Sequence, residues 1–303
     1  MRFLNKWFRA GRRNRIWLMV AAFILLPGIQ PAARADALAY IVAQTDQFGT
    51  IDLNTGVFTG IGNMGQQLSG LGVSGGNLFG GVSDTGNLYQ VNPANGALTL
   101  IGAGTINYLA TGSTTSGLYA VGGPGTAGSA LSLYSINAGT GAATLIGATG
   151  LDISTTVVDT LGISTGSGTL YLTFGPSFST GTLYSVNVAT GAATSIGSTT
   201  GADALAAEVF ENGTLYGGSN ISGGSFVDSV YTLNASTGAG TFLADESGGA
   251  TRFDGLAPGP LAAVPEPGSP LLMLTCCGAI VLRKLGQAIA RGCKSERPSA
   301  TLP

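Results

Sequence analysis

The sequence predicts an all-β repeat fold, on three observations. Of 303 residues, 50 are glycine and only 9% are charged, whereas an average soluble domain has roughly 25% charged residues and about 7% glycine. One tyrosine-centred segment recurs along the chain. Apolar and polar residues alternate within it, which is the period of a half-buried strand. So little charge excludes a helical bundle, which needs Glu, Lys and Arg on its exposed faces. Regularly recurring aliphatic and aromatic residues argue against disorder.

The recurring segment appears four times: Leu88-Tyr-Gln-Val-Asn-Pro-Ala-Asn-Gly96, Leu133-Tyr-Ser-Ile-Asn-Ala-Gly-Thr-Gly141, Leu183-Tyr-Ser-Val-Asn-Val-Ala-Thr-Gly191 and Val230-Tyr-Thr-Leu-Asn-Ala-Ser-Thr-Gly238. A degenerate copy, Gly49 to Gly56, precedes them. Each reads as a β-hairpin: the Asn bonds the turn backbone, and the closing Gly supplies a left-handed residue. Two further strands precede most hairpins, as at Leu71-Gly-Val-Ser and Asn77-Leu-Phe-Gly-Gly. Four strands per repeat of this length is the pattern of a propeller blade. A β-solenoid is the alternative, although its repeats are usually shorter.

The phase at the two ends predicts closure. Ala39 to Gly62 has room for strands two to four of a blade, and Phe253 to Ala257 reads as a strand one without successors. Joined, they complete a fifth blade and leave no exposed edge. The repeated Tyr89, Tyr134, Tyr184 and Tyr231 are expected to pack between blades.

Charge is segregated. Seven of the 13 Lys and Arg lie at or before Arg34, and five at or after Arg283; between Asp36 and Val264 only Arg252 is basic, against 13 acidic residues. Such a body repels nucleic acid, which is bound through Lys and Arg. The protein contains no His, and its three cysteines, Cys276, Cys277 and Cys293, all lie near the C-terminus. Ser-His-Asp triads, Cys-His pairs and His-ligated metals are thereby excluded, as are disulfides in the central region.

Residues 1–35 have the three parts of a secretory signal peptide. Lys6, Arg9, Arg12, Arg13 and Arg15 precede the apolar run from Ile16 to Leu26, and Ala33 and Ala35 offer small residues for signal peptidase. The apolar run falls short of the roughly 20 residues that span a bilayer. Residues 36–260 form the repeat domain and 261–303 a tail. In the tail, Val264-Pro265-Glu266-Pro267 is followed by an apolar segment, Pro270 to Leu282, then by Arg283-Lys284 and a basic stretch to Pro303.

That order of parts resembles the PEP-CTERM sorting signal of bacterial envelope proteins. The resemblance covers about 30 residues, and here the chain runs on past the basic pair. It implies an exported protein, held transiently in the inner membrane by its tail and processed there by an exosortase-like protease. It also implies residence in the cell envelope or extracellular matrix, often alongside exopolysaccharide production and biofilm.

One constellation stands out in the body. Ser69, Asn107, Asp159, Asp203 and Asp254 each precede the first strand of a blade. On a ring they would crowd one mouth of a central channel, where carboxylate, amide and hydroxyl oxygens suit Ca²⁺. The competing expectation is that each bonds the backbone of its own turn. No other cofactor is expected. Glu208 and Glu211 have the look of a glycosidase pair, but are read as a solvated strand end.

The function expected from the sequence is non-enzymatic: a surface propeller for adhesion or exopolysaccharide contact. A carboxylate-based hydrolase or lyase acting on matrix polysaccharide is the first alternative, and a structural spacer the second.

Overall fold

A computed structural model describes residues 37–260, apart from 104, 105, 125, 127, 155–158, 177, 178, 220–226 and 251, with only the backbone at 159 and 160. The leader with Ala33 and Ala35, and the tail with Val264, Pro265, Glu266, Pro267, Arg283 and Lys284, lie outside the described residues. The described residues form strands and turns without helix. The fold is all-β and propeller-like.

Four-stranded antiparallel units succeed one another along the chain. In chain order the strands are β1 (Leu38–Ala43), β2 (Gln47–Asp52), β3 (Phe58–Asn63), β4 (Gly72–Ser74), β5 (Asn77–Gly81), β6 (Leu88–Val91) and β7 (Leu98–Gly102). Next come β8 (Tyr108–Thr114), β9 (Gly117–Gly122), β10 (Ala130–Ile136), β11 (Ala143–Asp152), β12 (Asp159–Ser167), β13 (Leu170–Pro176), β14 (Thr182–Val186) and β15 (Ala193–Ser198). Last are β16 (Leu205–Glu211), β17 (Thr214–Ser219), β18 (Ser229–Leu233), β19 (Gly240–Asp245) and β20 (Phe253–Pro258). Strands β4–β7, β8–β11, β12–β15 and β16–β19 pair in sequence. The first unit instead has the order β20-β1-β2-β3. There the C-terminal strand pairs antiparallel with the N-terminal one, Ile41 opposite Leu256 and Val42 opposite Gly255.

The hairpin turns are built alike. In four units Asn92, Asn137, Asn187 and Asn234 accept the N–H two residues on through Oδ1 at 2.9 Å. Asp52 takes this place in the first unit, at 2.8 Å. Each turn closes on a glycine at φ between 71° and 82°, namely Gly56, Gly96, Gly141, Gly191 and Gly238. A side chain there would be strained.

Behind each turn the outermost strand carries a β-bulge at an equivalent place. Tyr89, Tyr134, Tyr184 and Tyr231 face Leu100, Leu145, Ser195 and Phe242, and one step on the register has slipped by a residue. Bulges twist an outer edge away from flat pairing with another chain. The residue after the bulge is a contact point. A Cβ on Gly62, Gly102, Gly147 or Gly197 would stand 2.1–2.2 Å from a turn carbonyl of the next unit, on Asn95, Thr140, Thr190 or Thr237. Between last and first units the contact recurs with partners exchanged: a Cβ on Gly56 would meet the Asp245 carbonyl at 2.1 Å.

The buried apolar residues follow the same succession. Clusters form between the first and second units around Phe48, Leu71 and Leu78, and between the second and third around Phe79, Leu88 and Tyr108. Others join third to fourth through Val121, Leu133 and Leu172, and fourth to fifth through Leu183, Leu205 and Leu215. A further cluster, with Ile41, Ile51, Val209, Tyr216 and Phe253, joins the fifth back to the first. The repeated tyrosines pack against these clusters, as expected: Tyr231 is a member, and Tyr89, Tyr134 and Tyr184 lie partly buried beside them.

Because the outer-strand glycines abut backbone, a methyl group there must displace the neighbouring turn. Gly197→Ala is expected to lower stability by about 2 kcal/mol, the usual cost of overpacking. The measurement is the urea midpoint at constant m-value; an unchanged midpoint would show that the units do not lock through this contact.

Candidate functional site

The first strands of the units meet along one axis. Strands β8, β12 and β16 pair in parallel, with Thr165 beside both Ser113 and Val209. A parallel bridge joins Gly70 to Thr111. The axis is not an open channel along this length. Thr165 Oγ1 donates to the Leu71 carbonyl across non-successive units, and a Cβ on Gly255 would lie 2.5 Å from Gly70 Cα. Ser113 Oγ accepts from Val73 N at 2.9 Å, and Ser164 Oγ accepts from Tyr171 N at 2.9 Å. Buried hydroxyls and glycines thus fill the hub where the sequence suggested a channel. So few strands bring backbones close enough for side chains and carbonyls to bond across the axis.

The proposed oxygen ring lies at the N-terminal ends of these strands. Its side chains turn to separate partners. Asp203 accepts from Tyr231 Oη at 2.7 Å, toward the third strand of its unit. Asn107 bonds Ser83 Oγ of the preceding unit at 2.7 Å, and Asp254 accepts from Gln67 Nε2 at 2.8 Å. Ser69 donates its backbone N–H to the Gly81 carbonyl at 2.8 Å. The backbone contact of Gly70 with Gly255 brings Ser69 and Asp254 near each other. The side chain of Asp159 is outside the described residues. Among the described residues no three carboxylates or thiols gather as metal ligands. The side-chain bonds of Asp203, Asn107 and Asp254 run to side chains on β18 and on the loops at residues 83 and 67. Burial, then the Asp203 carboxylate, pushes the Tyr231 phenol up to about 12.

Glu208 and Glu211 are not a solvated strand end. Glu208 is wholly buried and Glu211 is 8% exposed. They lie three residues apart on β16, so their side chains leave opposite faces of the strand, and no paired-carboxylate site results. Glu208 fits under the first strand of the preceding unit because position 162 is glycine; a Cβ there would meet Oε2 at 2.2 Å. Its Oε1 accepts from the Thr173 hydroxyl, while Oε2 has no partner among the described residues. Burial, partly opposed by that hydroxyl, pushes its carboxyl up to about 8. Burial thus favours its protonated, neutral form in the hub.

The opposite end of the hub holds a half-open cavity of about 300 Å³, at the C-terminal ends of β4, β8, β12 and β20. Ser74, Ser113, Thr114, Thr115 and Ser116 line it with hydroxyls, beside Val73 and Pro258. None of its lining residues is ionisable. Thr114 and Ser116 hydroxyls bond each other at 2.8 Å, and Thr115 N donates to the Ser167 carbonyl at 3.1 Å. The hairpin is therefore held in place before any ligand arrives. Sequence reasoning passed over this mouth; its signal was the uncharged run Gly112-Ser-Thr-Thr-Ser-Gly117.

No family model matches the chain, and no curated protein matches it. Among solved structures it is similar to a chain in the crystal structure of a nidogen/laminin complex. The TM-score is 0.44 and the identity 12%, over 73% of this chain and 80% of that one. At that likeness nothing about function carries over, and the fold is read from the strand pairing. No helix of the described residues is long and apolar enough to cross a membrane.

Proposed function

We propose that the chain is an exported protein of the bacterial envelope or matrix, whose body is a five-bladed propeller that binds without catalysing. Pairing of β20 with β1, and the core shared by last and first units, support a closed ring. One observation carries the functional reading. An acidic, histidine-free body is bracketed by two apolar segments with basic flanks, the second preceded by Val264-Pro265-Glu266-Pro267. The leader directs export and is cut after Ala35 by signal peptidase. The tail, by its PEP-CTERM resemblance, holds the protein in the inner membrane until an exosortase-like protease acts. The propeller then serves adhesion or contact with exopolysaccharide.

The test is fractionation of cells making the full chain beside a variant with Pro265→Ala, Glu266→Ala and Pro267→Ala together. The unaltered chain is expected to lose mass at both ends and reach the envelope or medium, and the variant to stay in the inner membrane with its tail. Full-length protein in the cytoplasm, or identical processing of both, sinks the assignment.

A further inference from the structure

We infer that the hydroxyl-lined cavity at the C-terminal end of the hub is the ligand site, and that it takes an uncharged polyhydroxylated chain, a neutral polysaccharide. This rests on the reading of the protein as a glycan-contacting surface propeller and adds to it a place and a chemical class.

Place follows from convergence. Strand ends from several units meet there, and its volume falls at the lower end of ligand pockets, enough for one or two sugar rings. The other end of the hub offers less. Three of its polar side chains, Asp203, Asn107 and Asp254, are taken up by Tyr231, Ser83 and Gln67.

Chemical class follows from the lining. A serine or threonine hydroxyl both donates and accepts, which matches the mixed donor and acceptor edge of a sugar ring. The hydroxyls of Ser74 and Thr115 have no partner among the described residues, so they are open to a ligand. Val73 and Pro258 give an apolar side against which ring C–H groups can rest. An anionic glycan is disfavoured twice over. The cavity has no cation, and from residue 37 to 260 the chain carries Arg252 alone against 12 Asp and Glu. That imbalance repels a polyanion at a distance. A basic peptide would be drawn to the acidic body, but it would find no carboxylate in the cavity to pair with.

The experiment is affinity electrophoresis of the full-length protein, in native gels containing dextran, hydroxyethyl cellulose or alginate. The protein is expected to be retarded by at least one neutral polymer and not by alginate. Thr115→Trp fills the mouth from an exposed position, and Ser74→Val with Thr115→Val removes the open hydroxyls. Both are expected to weaken retardation tenfold or more with an unchanged melting temperature. Gln67→Ala at the other mouth should leave it unchanged. Retardation by a neutral polymer that survives Thr115→Trp overturns the site, while glycan contact as the protein's role stands. Retardation by alginate alone, or by none of the three, overturns the chemical class; envelope sorting is judged separately by the fractionation above.

Discussion

Ending the chain at Ala250, so that β20 is missing, is expected to abolish cooperative folding, whereas ending it at Pro260 should leave stability intact. The difference is a single strand. β20 supplies the innermost strand of a unit whose other strands come from the N-terminus. It buries Phe253, Leu256 and Ala257 at 0–1% exposure. Truncating one buried Phe or Leu costs about 2–5 kcal/mol, and here both are lost together with a ladder of backbone hydrogen bonds. Net stabilities are only about 5–15 kcal/mol, so little or nothing remains. The loss also uncovers the edge of β1, where Ile41 and Val42 are buried, and an apolar open edge invites pairing between chains. Urea unfolding followed by circular dichroism, with size-exclusion chromatography alongside, gives the reading. A sharp transition with an unreduced m-value in the shorter chain would mean that β20 is an accessory strand and the units stand without closure.

Much of this fold was legible because its signals are local. Tyr-x-Val-Asn followed by a turn ending in Gly sets strand period and turn chemistry within nine residues, and each such segment became β6, β10, β14 or β18 with its turn. The phase of the ends was legible too, since Phe253 to Ala257 lacked successors and β1 lacked a first strand. What escaped was radial. A strand sequence tells which residues share a face, not which face meets the axis. Glu208 therefore read as solvated, because the Gly162 that makes room for it lies in another unit. Ser113, Ser164 and Thr165 fill the hub, and nothing in their local sequence marks them for that place. Asp203 and Asp254 stand at the starts of inner strands, but their side chains answer to Tyr231 and Gln67, which no alignment of first strands could show. The bulges were missed for a related reason: two residues facing one is a property of the pair of strands, and Ile-Gly repeats in the outer strand look like plain alternation.

The buried carboxyl makes a pH prediction with a definite sign. Glu208 titrates near 4.5 when exposed and at about 8 in the fold, raised by burial. Between those values the folded protein holds a proton that the unfolded chain has released. Its contribution to stability is therefore complete below about pH 4.5 and is lost as pH rises through 8. A tenfold change in proton affinity corresponds to about 1.4 kcal/mol, so the whole loss is on the order of 5 kcal/mol. Glu208→Gln keeps the shape and the acceptor for Thr173 but cannot ionise. At pH 5 the variant should lie within about 1 kcal/mol of the parent, since one neutral hydrogen-bonding group replaces another. At pH 9 it should be the more stable by several kcal/mol, because a charge in the dry hub costs far more than an amide. Glu211 and Glu246 are also raised by burial, with part of each still open to solvent. They tilt both proteins alike, and the difference between parent and variant isolates position 208. Melting temperatures measured from pH 5 to 9 decide the matter. Curves that run parallel across that range would mean that water reaches Glu208 and that the hub is not the dry, hydroxyl-packed axis described above.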